Sequence, residues 1–156
     1  MINLISNIFI SLANIILRLG GGVAGAIDMK CGPRVQEECI QYLDFIKSNY
    51  GGDQMNVSDV MHTQAYNIKA HYIIHACGPK WSNYFDDEKK DCFVALRNTY
   101  FNILDHVEKE LNKVESIAIP LISSGIFGVP KEVCYNAVFS GMIFLLILFI
   151  YKKLSS

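Results

Sequence analysis

The residues best placed to do chemistry sit in two short stretches. The first is Leu17-Arg18-Leu19-Gly20-Gly21-Gly22-Val23-Ala24-Gly25-Ala26-Ile27, and the second is Ser123-Ser124-Gly125-Ile126-Phe127-Gly128. Three consecutive glycines strip Cβ atoms from a loop, so its backbone can take positive φ and approach a ligand closely. Val23 to Ile27 then reads as the first turns of a buried helix. A glycine loop feeding a helix N-terminus presents unpaired N–H groups and the positive end of the helix dipole, which suits an anion. Taken alone, the first stretch reads equally well as a glycine-rich turn with no ligand. Two such loops at one edge of a sheet are far more specific than one.

The elements that must position these loops follow from the apolar pattern. Leu4–Leu12 is isoleucine-rich and feeds the first loop. No Lys or Arg precedes it and no small-residue cleavage site follows, so a strand buried on both faces fits better than a signal peptide. Pro33 suits the first position of a helix in which Val35, Cys39, Tyr42, Leu43 and Ile46 recur at helical spacing to about Ser48. Asn49–Asp53 reads as a turn and Met55–Met61 as an edge strand followed by a loop. Ala70–Cys77 reads as a strand closed by Gly78-Pro79. Asp86 or Asp87 is suited to cap a helix of about seven turns, one face of which carries Phe93, Leu96, Tyr100, Ile103, Leu104, Val107 and Leu111. Ser116–Leu121 reads as another buried strand, and Pro130 can start a further helix. Alternation of this kind predicts helices on both faces of a mostly parallel or mixed sheet, with both loops at the carboxyl ends of strands, where such sheets bind ligands.

Composition narrows the choice of ligand. With 14 Lys+Arg against 15 Asp+Glu in 156 residues, the net charge is −1. That provides no basic field for direct nucleic-acid binding, so any phosphate must be held by backbone amides and fit. Five cysteines, an odd number without a CxxC pair, favour a reducing compartment, cytoplasmic or nuclear, over a disulfide framework. His71, His75 and Cys77 alternate along one strand, but residues at that spacing spread over ~20 Å. They read as polar groups of a core strand rather than metal ligands, and no metal is expected.

The segments LRLGGGVAGAI, QEEC, YIIHACGPKW and SIAIPLISSGIFGVP occur in an order and spacing that resemble the macro domains, over about Ile10 to Pro130. The resemblance implies a three-layer α/β/α sandwich around a mixed, mostly parallel sheet, incomplete at both termini. It also implies a ligand, ADP-ribose, free or attached to protein, and no cofactor. By position, Gly20, Gly21, Gly22, Val23 and Ala24 would cradle the diphosphate and the distal ribose. Ser123, Ser124, Gly125, Ile126, Phe127 and Gly128 would close from the other side, Ile126 and Phe127 flanking the ribose. The family's Asn-Ala-Ala-Asn is here Ser11-Leu12-Ala13-Asn14, which leaves Asn14 to orient the distal ribose and, in a hydrolytic member, to serve catalysis. Read without the resemblance, Asn14 is a turn or cap asparagine. Some hydrolytic members carry an aspartate where this chain has Ala24, so no general base is available there. The resemblance therefore implies a binding module first. A mono-ADP-ribosyl-protein hydrolase or O-acetyl-ADP-ribose deacetylase using a phosphate-activated water is the alternative, and a degenerate non-binding fragment the third.

The boundary of the partial macro domain is expected at residues 1–137, with 138–156 an apolar tail. Val133–Tyr151 holds 19 residues without a charge, just long enough to cross a hydrocarbon core as a helix. A span would anchor the protein to a membrane, but Lys152-Lys153 would then lie on the side that positive charge avoids. The other reading is a buried helix containing Asn136 and Ser140.

Overall fold

The computed structural model describes residues 8–19, 22–111 and 114–155. In chain order the elements are β1 (Ile8–Ala13), α1 (Gly22–Cys31), α2 (Arg34–Tyr50), β2 (Val60–Gln64), β3 (Tyr72–Cys77), α3 (Lys89–Glu110), β4 (Ile117–Ala118) and α4 (Lys131–Ser155). Short 3-10 turns at Trp81–Asn83 and Asp86–Glu88 lead into α3.

The sheet order is β2-β3-β1-β4. β1 pairs in parallel with β3, from Ile8 opposite Tyr72 to Ala13 opposite Cys77, and with β4 at Ile8–Ile117 and Phe9–Ala118. β2 lies antiparallel on the outer side of β3. Successive strand residues face opposite layers, and the burial follows. Ile8, Ile10, Ile74 and Ala76 pack with Leu96, Tyr100 and Ile103 of α3 and with Cys134 and Ala137 of α4. On the other face, Ile73 packs with Ala24 and Ile27 of α1, and Cys77 with Leu17 and with Cys39 of α2. The result is the expected α/β/α sandwich with a mixed sheet.

Several local expectations are corrected. The edge strand is Val60–Gln64, not Met55–Met61. Met55 is instead fully buried and its N–H bonds the carbonyl of Ile15 at 2.8 Å. The next residues form a turn, in which Asp59 accepts the N–H of Asn56 at 2.7 Å and Ser58, at φ +76°, donates its N–H to Cys77 at 2.7 Å. Neither Asp86 nor Asp87 caps a helix end. The Glu88 carboxylate does so, accepting the Phe85 N–H at 3.1 Å. α3 has 22 residues, about six turns rather than seven. β4 pairs over two residues only, because Pro120 has no N–H to continue the ladder.

α4 runs without a break through residues 137 and 138. Its inner face packs on α3, and Gly141 makes the contact close: a Cβ there would lie 3.0 Å from the Arg97 carbonyl oxygen and from Tyr100 Cβ. Among the described residues no helix is long and apolar enough to cross a membrane.

Candidate functional site

Because β3, β1 and β4 are parallel neighbours, all three release their following loops at one sheet edge. That carboxyl edge is where parallel sheets leave room for a ligand. The central loop, after β1, runs into α1 at Gly22. α1 has no acidic residue in its first turn and Lys30 in its last, so the dipole at its N-terminus faces no competing carboxylate. Gly20, Gly21 and the side chain of Val23 lie outside the described residues. Ala24 is buried against Leu19 and Ile27, which leaves only its backbone to reach a ligand.

The first loop is held by two amide side chains. Asn14 Oδ1 accepts the N–H groups of Ile16 at 3.2 Å and Arg18 at 3.0 Å, and Nδ2 donates to the Arg18 carbonyl at 3.1 Å. Asn14 is thus a turn residue, and one Nδ2 hydrogen remains beyond these three bonds. Gln36 of α2 bonds the loop like a neighbouring strand: its Nε2 donates to the Leu17 carbonyl at 3.0 Å and its Oε1 accepts the Leu19 N–H at 3.1 Å. Between them Leu17 is fully buried at φ +50°. An αL leucine is uncommon, and its burial and these bonds hold it there.

The second loop is clamped from both helices beneath it. The Ile122 N–H donates to the Tyr100 hydroxyl at 2.8 Å, and the Cys134 thiol donates to the Ile122 carbonyl at 3.3 Å. Burial pushes the Tyr100 hydroxyl well above its usual range and raises Cys134 to about 11, so both keep their protons. Ser123 follows at φ +64°, fully buried, with a hydroxyl that has no partner among the described residues. The loop closes through Ser124 Oγ on the Leu121 carbonyl at 2.7 Å, and through Gly128 N–H on Gly125 at 2.9 Å with Gly128 at φ +72°. Ile126 projects into solvent at 80% exposure while Phe127 is half-buried. The Phe127 carbonyl accepts the Trp81 N–H at 2.8 Å, tying this loop to the one that follows β3. Lys89 sits over the Trp81 ring at 4.4 Å and donates to the carbonyls of Trp81 and Tyr84.

In the described parts of the two glycine loops and the first turn of α1, Arg18 is the only ionisable side chain. The arrangement can therefore hold an anion through N–H groups, but offers no carboxylate or imidazole as a general base. His75 is elsewhere. It is fully buried between β1 and β2, with Nε2 3.0 Å from Thr63 Oγ1, and burial lowers its pKa to about 4. Among the described residues no group of three His, Cys, Asp or Glu is placed to hold a metal ion. Sequence reasoning missed Gln36 and Tyr100. The available signal was a tyrosine on the apolar stripe of α3, since a buried hydroxyl must find a partner. Gln36 opens the QEEC segment of the resemblance, but its bonds to the loop were not readable there, because its register against the loop depends on how α2 packs.

A sequence model of the Macro domain matches residues 10–138. The chain is 36% identical over 126 residues to O-acetyl-ADP-ribose deacetylase 1 of Pantoea vagans, covering 79% of this chain and 65% of that protein. It is 33% identical to a part of human protein mono-ADP-ribosyltransferase PARP14, covering 87% of this chain and 7% of that one. Among solved structures it resembles the Oceanobacillus iheyensis macrodomain with ADP, with a TM-score of 0.74 at 28% identity, covering 89% of this chain and 68% of that one. The chain thus spans about two thirds of the length of the bacterial deacetylase it matches.

Proposed function

This chain belongs to the macro domain family, and on that footing we propose that it binds ADP-ribose, free or protein-attached, at the carboxyl edge of β3, β1 and β4. The observation that carries this reading is the pairing of two loops, each released from one of two adjacent parallel strands. One leads into the N-terminus of α1, and the other is clamped by Tyr100 and Cys134. A diphosphate needs several N–H donors in a concave backbone with no side chains in the way. Gly20 to Ala24 supply it from one side and Ser123 to Gly128 from the other. The buried Ser123 hydroxyl, without a partner among the described residues, is a donor in reserve for the same anion. Asn14 shapes the first loop, and its remaining Nδ2 hydrogen orients the distal ribose. Ile126 and Phe127 cover the ribose and limit water.

Isothermal titration with ADP-ribose tests the proposal. Saturable one-to-one binding is expected, and no heat at millimolar ligand overturns it. A second reading is favoured by the name of the bacterial relative: removal of an acyl or protein group from ADP-ribose. With no ionisable base in the described loops, the water would have to be activated by the ligand's own phosphate. Release of ADP-ribose from a modified acidic protein, lost in Asn14→Ala, supports turnover. Binding without release leaves a pure recognition module.

A further inference from the structure

The first loop faces α2 across an open groove. Ile16, Arg18 and Leu19 line one side and Gln36, Ile40 and Leu43 the other, around about 560 Å³. That volume falls within the ~300–1,000 Å³ of ligand clefts. Leu19 is buried there, whereas Ile16 and Ile40 are 41% and 51% exposed. Helical spacing sets the α2 side. At 100° per residue, Gln36, Ile40 and Leu43 fall within an arc of about 60°, and the exposed Lys47 continues the stripe. The exposed carboxylates of the same helix, Glu37 and Asp44, are turned roughly 70–90° from its centre. Arg18 is the one charged residue of the six. It is exposed and makes no ion pair among the described residues. Gln36 has already committed its oxygen and one Nε2 hydrogen to the loop backbone. The groove is therefore apolar, with a single unpaired positive charge at its loop side.

Its position gives it an occupant. Asn14, the residue assigned to the distal ribose, accepts the N–H groups of both Ile16 and Arg18. Leu19 adjoins Gly20 of the loop assigned to the diphosphate. Protein-linked ADP-ribose is joined to its carrier through the distal ribose, so the carrier chain leaves the site on the side that Asn14 shapes. We propose that this groove receives the polypeptide flanking an ADP-ribosylated residue, and that the peptide it fits is acidic, with an aliphatic side chain within a few positions of the modified one. The aliphatic group packs between Ile16, Ile40 and Leu43, and a neighbouring carboxylate pairs with Arg18. A basic peptide would bring its charge against Arg18 and Lys47. The proposal rests on the reading that ADP-ribose occupies the two glycine loops, and it adds which protein-attached forms are preferred.

The test compares three ligands by titration calorimetry on the full chain. One is free ADP-ribose. The second is a ten-residue peptide carrying ADP-ribose on a central glutamine through an amide link, flanked by Glu and Leu. The third is the same modified peptide flanked by Lys and Ser. The Glu/Leu peptide should bind about tenfold tighter than free ADP-ribose, as burial of one aliphatic side chain permits, and added salt should reduce the gain. The Lys/Ser peptide should show no gain. Ile40→Glu should abolish the advantage and Arg18→Gln should reduce it, while both variants keep the wild-type affinity for free ADP-ribose. That retained affinity is the check that each variant is folded, and Arg18→Gln serves should Ile40→Glu fail it. Equal affinity for free and peptide-borne ADP-ribose, equal affinity for the two peptides, or an advantage unchanged in the folded variants overturns the groove assignment alone. Absence of binding by all three ligands overturns the ADP-ribose reading and the groove assignment with it.

Discussion

Gly141→Ala tests whether α4 belongs to the folded unit, through the sign of a stability change. An ideal Cβ at this position would sit 3.0 Å from the Arg97 carbonyl oxygen, 3.0 Å from Tyr100 Cβ and 3.3 Å from the Phe101 nitrogen. All three atoms are fixed to the α3 backbone, so none can rotate aside. Forcing a methyl group into such a contact costs ~1–3 kcal/mol. Alanine is also the better helix former, which returns ~1 kcal/mol. The packed helix therefore predicts a net loss of about 1 kcal/mol for Gly141→Ala, and more for Gly141→Val, whose branched side chain adds volume and gains less propensity. A helix free of α3 gives the opposite sign, because only the propensity term survives. Urea unfolding followed by circular dichroism, with the slope checked for constancy, reads the difference directly. For a chain of this size a loss of that order lowers the Tm by ~2–4 °C. A raised midpoint for Gly141→Ala at unchanged slope would refute the packing argument.

Tyr100→Phe removes the acceptor of the Ile122 N–H and leaves that group unpaired in the core. It should cost ~1–3 kcal/mol and weaken ADP-ribose binding in calorimetry, since the second loop loses its clamp. Gln36→Leu keeps the volume but drops both bonds to Leu17 and Leu19. The expected effect is about tenfold weaker binding with a stability loss of ~1–2 kcal/mol, read by the same two assays. Acid should destabilise the protein through His75. Its folded pKa of about 4 lies below the 6.5 of an ordinary histidine. Above pH 6.5 both states are neutral and the contribution is whole. As pH falls below 6.5 the unfolded chain takes up a proton that the folded one refuses, and stability drops by up to ~1.4 kcal/mol per pH unit. Burial lowers His62 and His106 in the same sense. Urea midpoints at pH 7.5 and 5, compared with those of His75→Gln, measure the share of the slope that belongs to His75.

What was legible in the sequence was whatever depended on local pattern. The isoleucine-rich run before the first glycine loop read better as a strand buried on both sides than as a signal peptide, and β1 lies inside the sheet between β3 and β4. Val35, Cys39 and Ile46 marked α2, and Leu96, Tyr100 and Ile103 marked α3, because period and burial coincide there. The edge strand was misplaced because Met55 looks like a strand residue but is drawn into the core by the first loop, whose Ile15 carbonyl takes its N–H. That is a contact across 40 residues, and no local pattern encodes it. The tail was only partly legible for a related reason. A run without charges reads as one unit, yet α4 is divided lengthwise, with one side on α3 and the other exposed. Asn14 was recognisable by type and place. Its dense bonding to the loop backbone depends on the turn geometry and appears only once the loop is folded.

The single tryptophan of the chain stands where the second loop meets its neighbour. Its backbone N–H holds the Phe127 carbonyl, its Cβ lies 3.9 Å from where a Gly128 side chain would start, and an ammonium group covers its ring. An indole so placed is a built-in optical gauge. Any rearrangement that loosens Phe127 or displaces Lys89 changes the polarity and quenching around one fluorophore, with no second indole to dilute the signal. If the proposed ADP-ribose binding moves that loop, emission from the unlabelled protein times the movement.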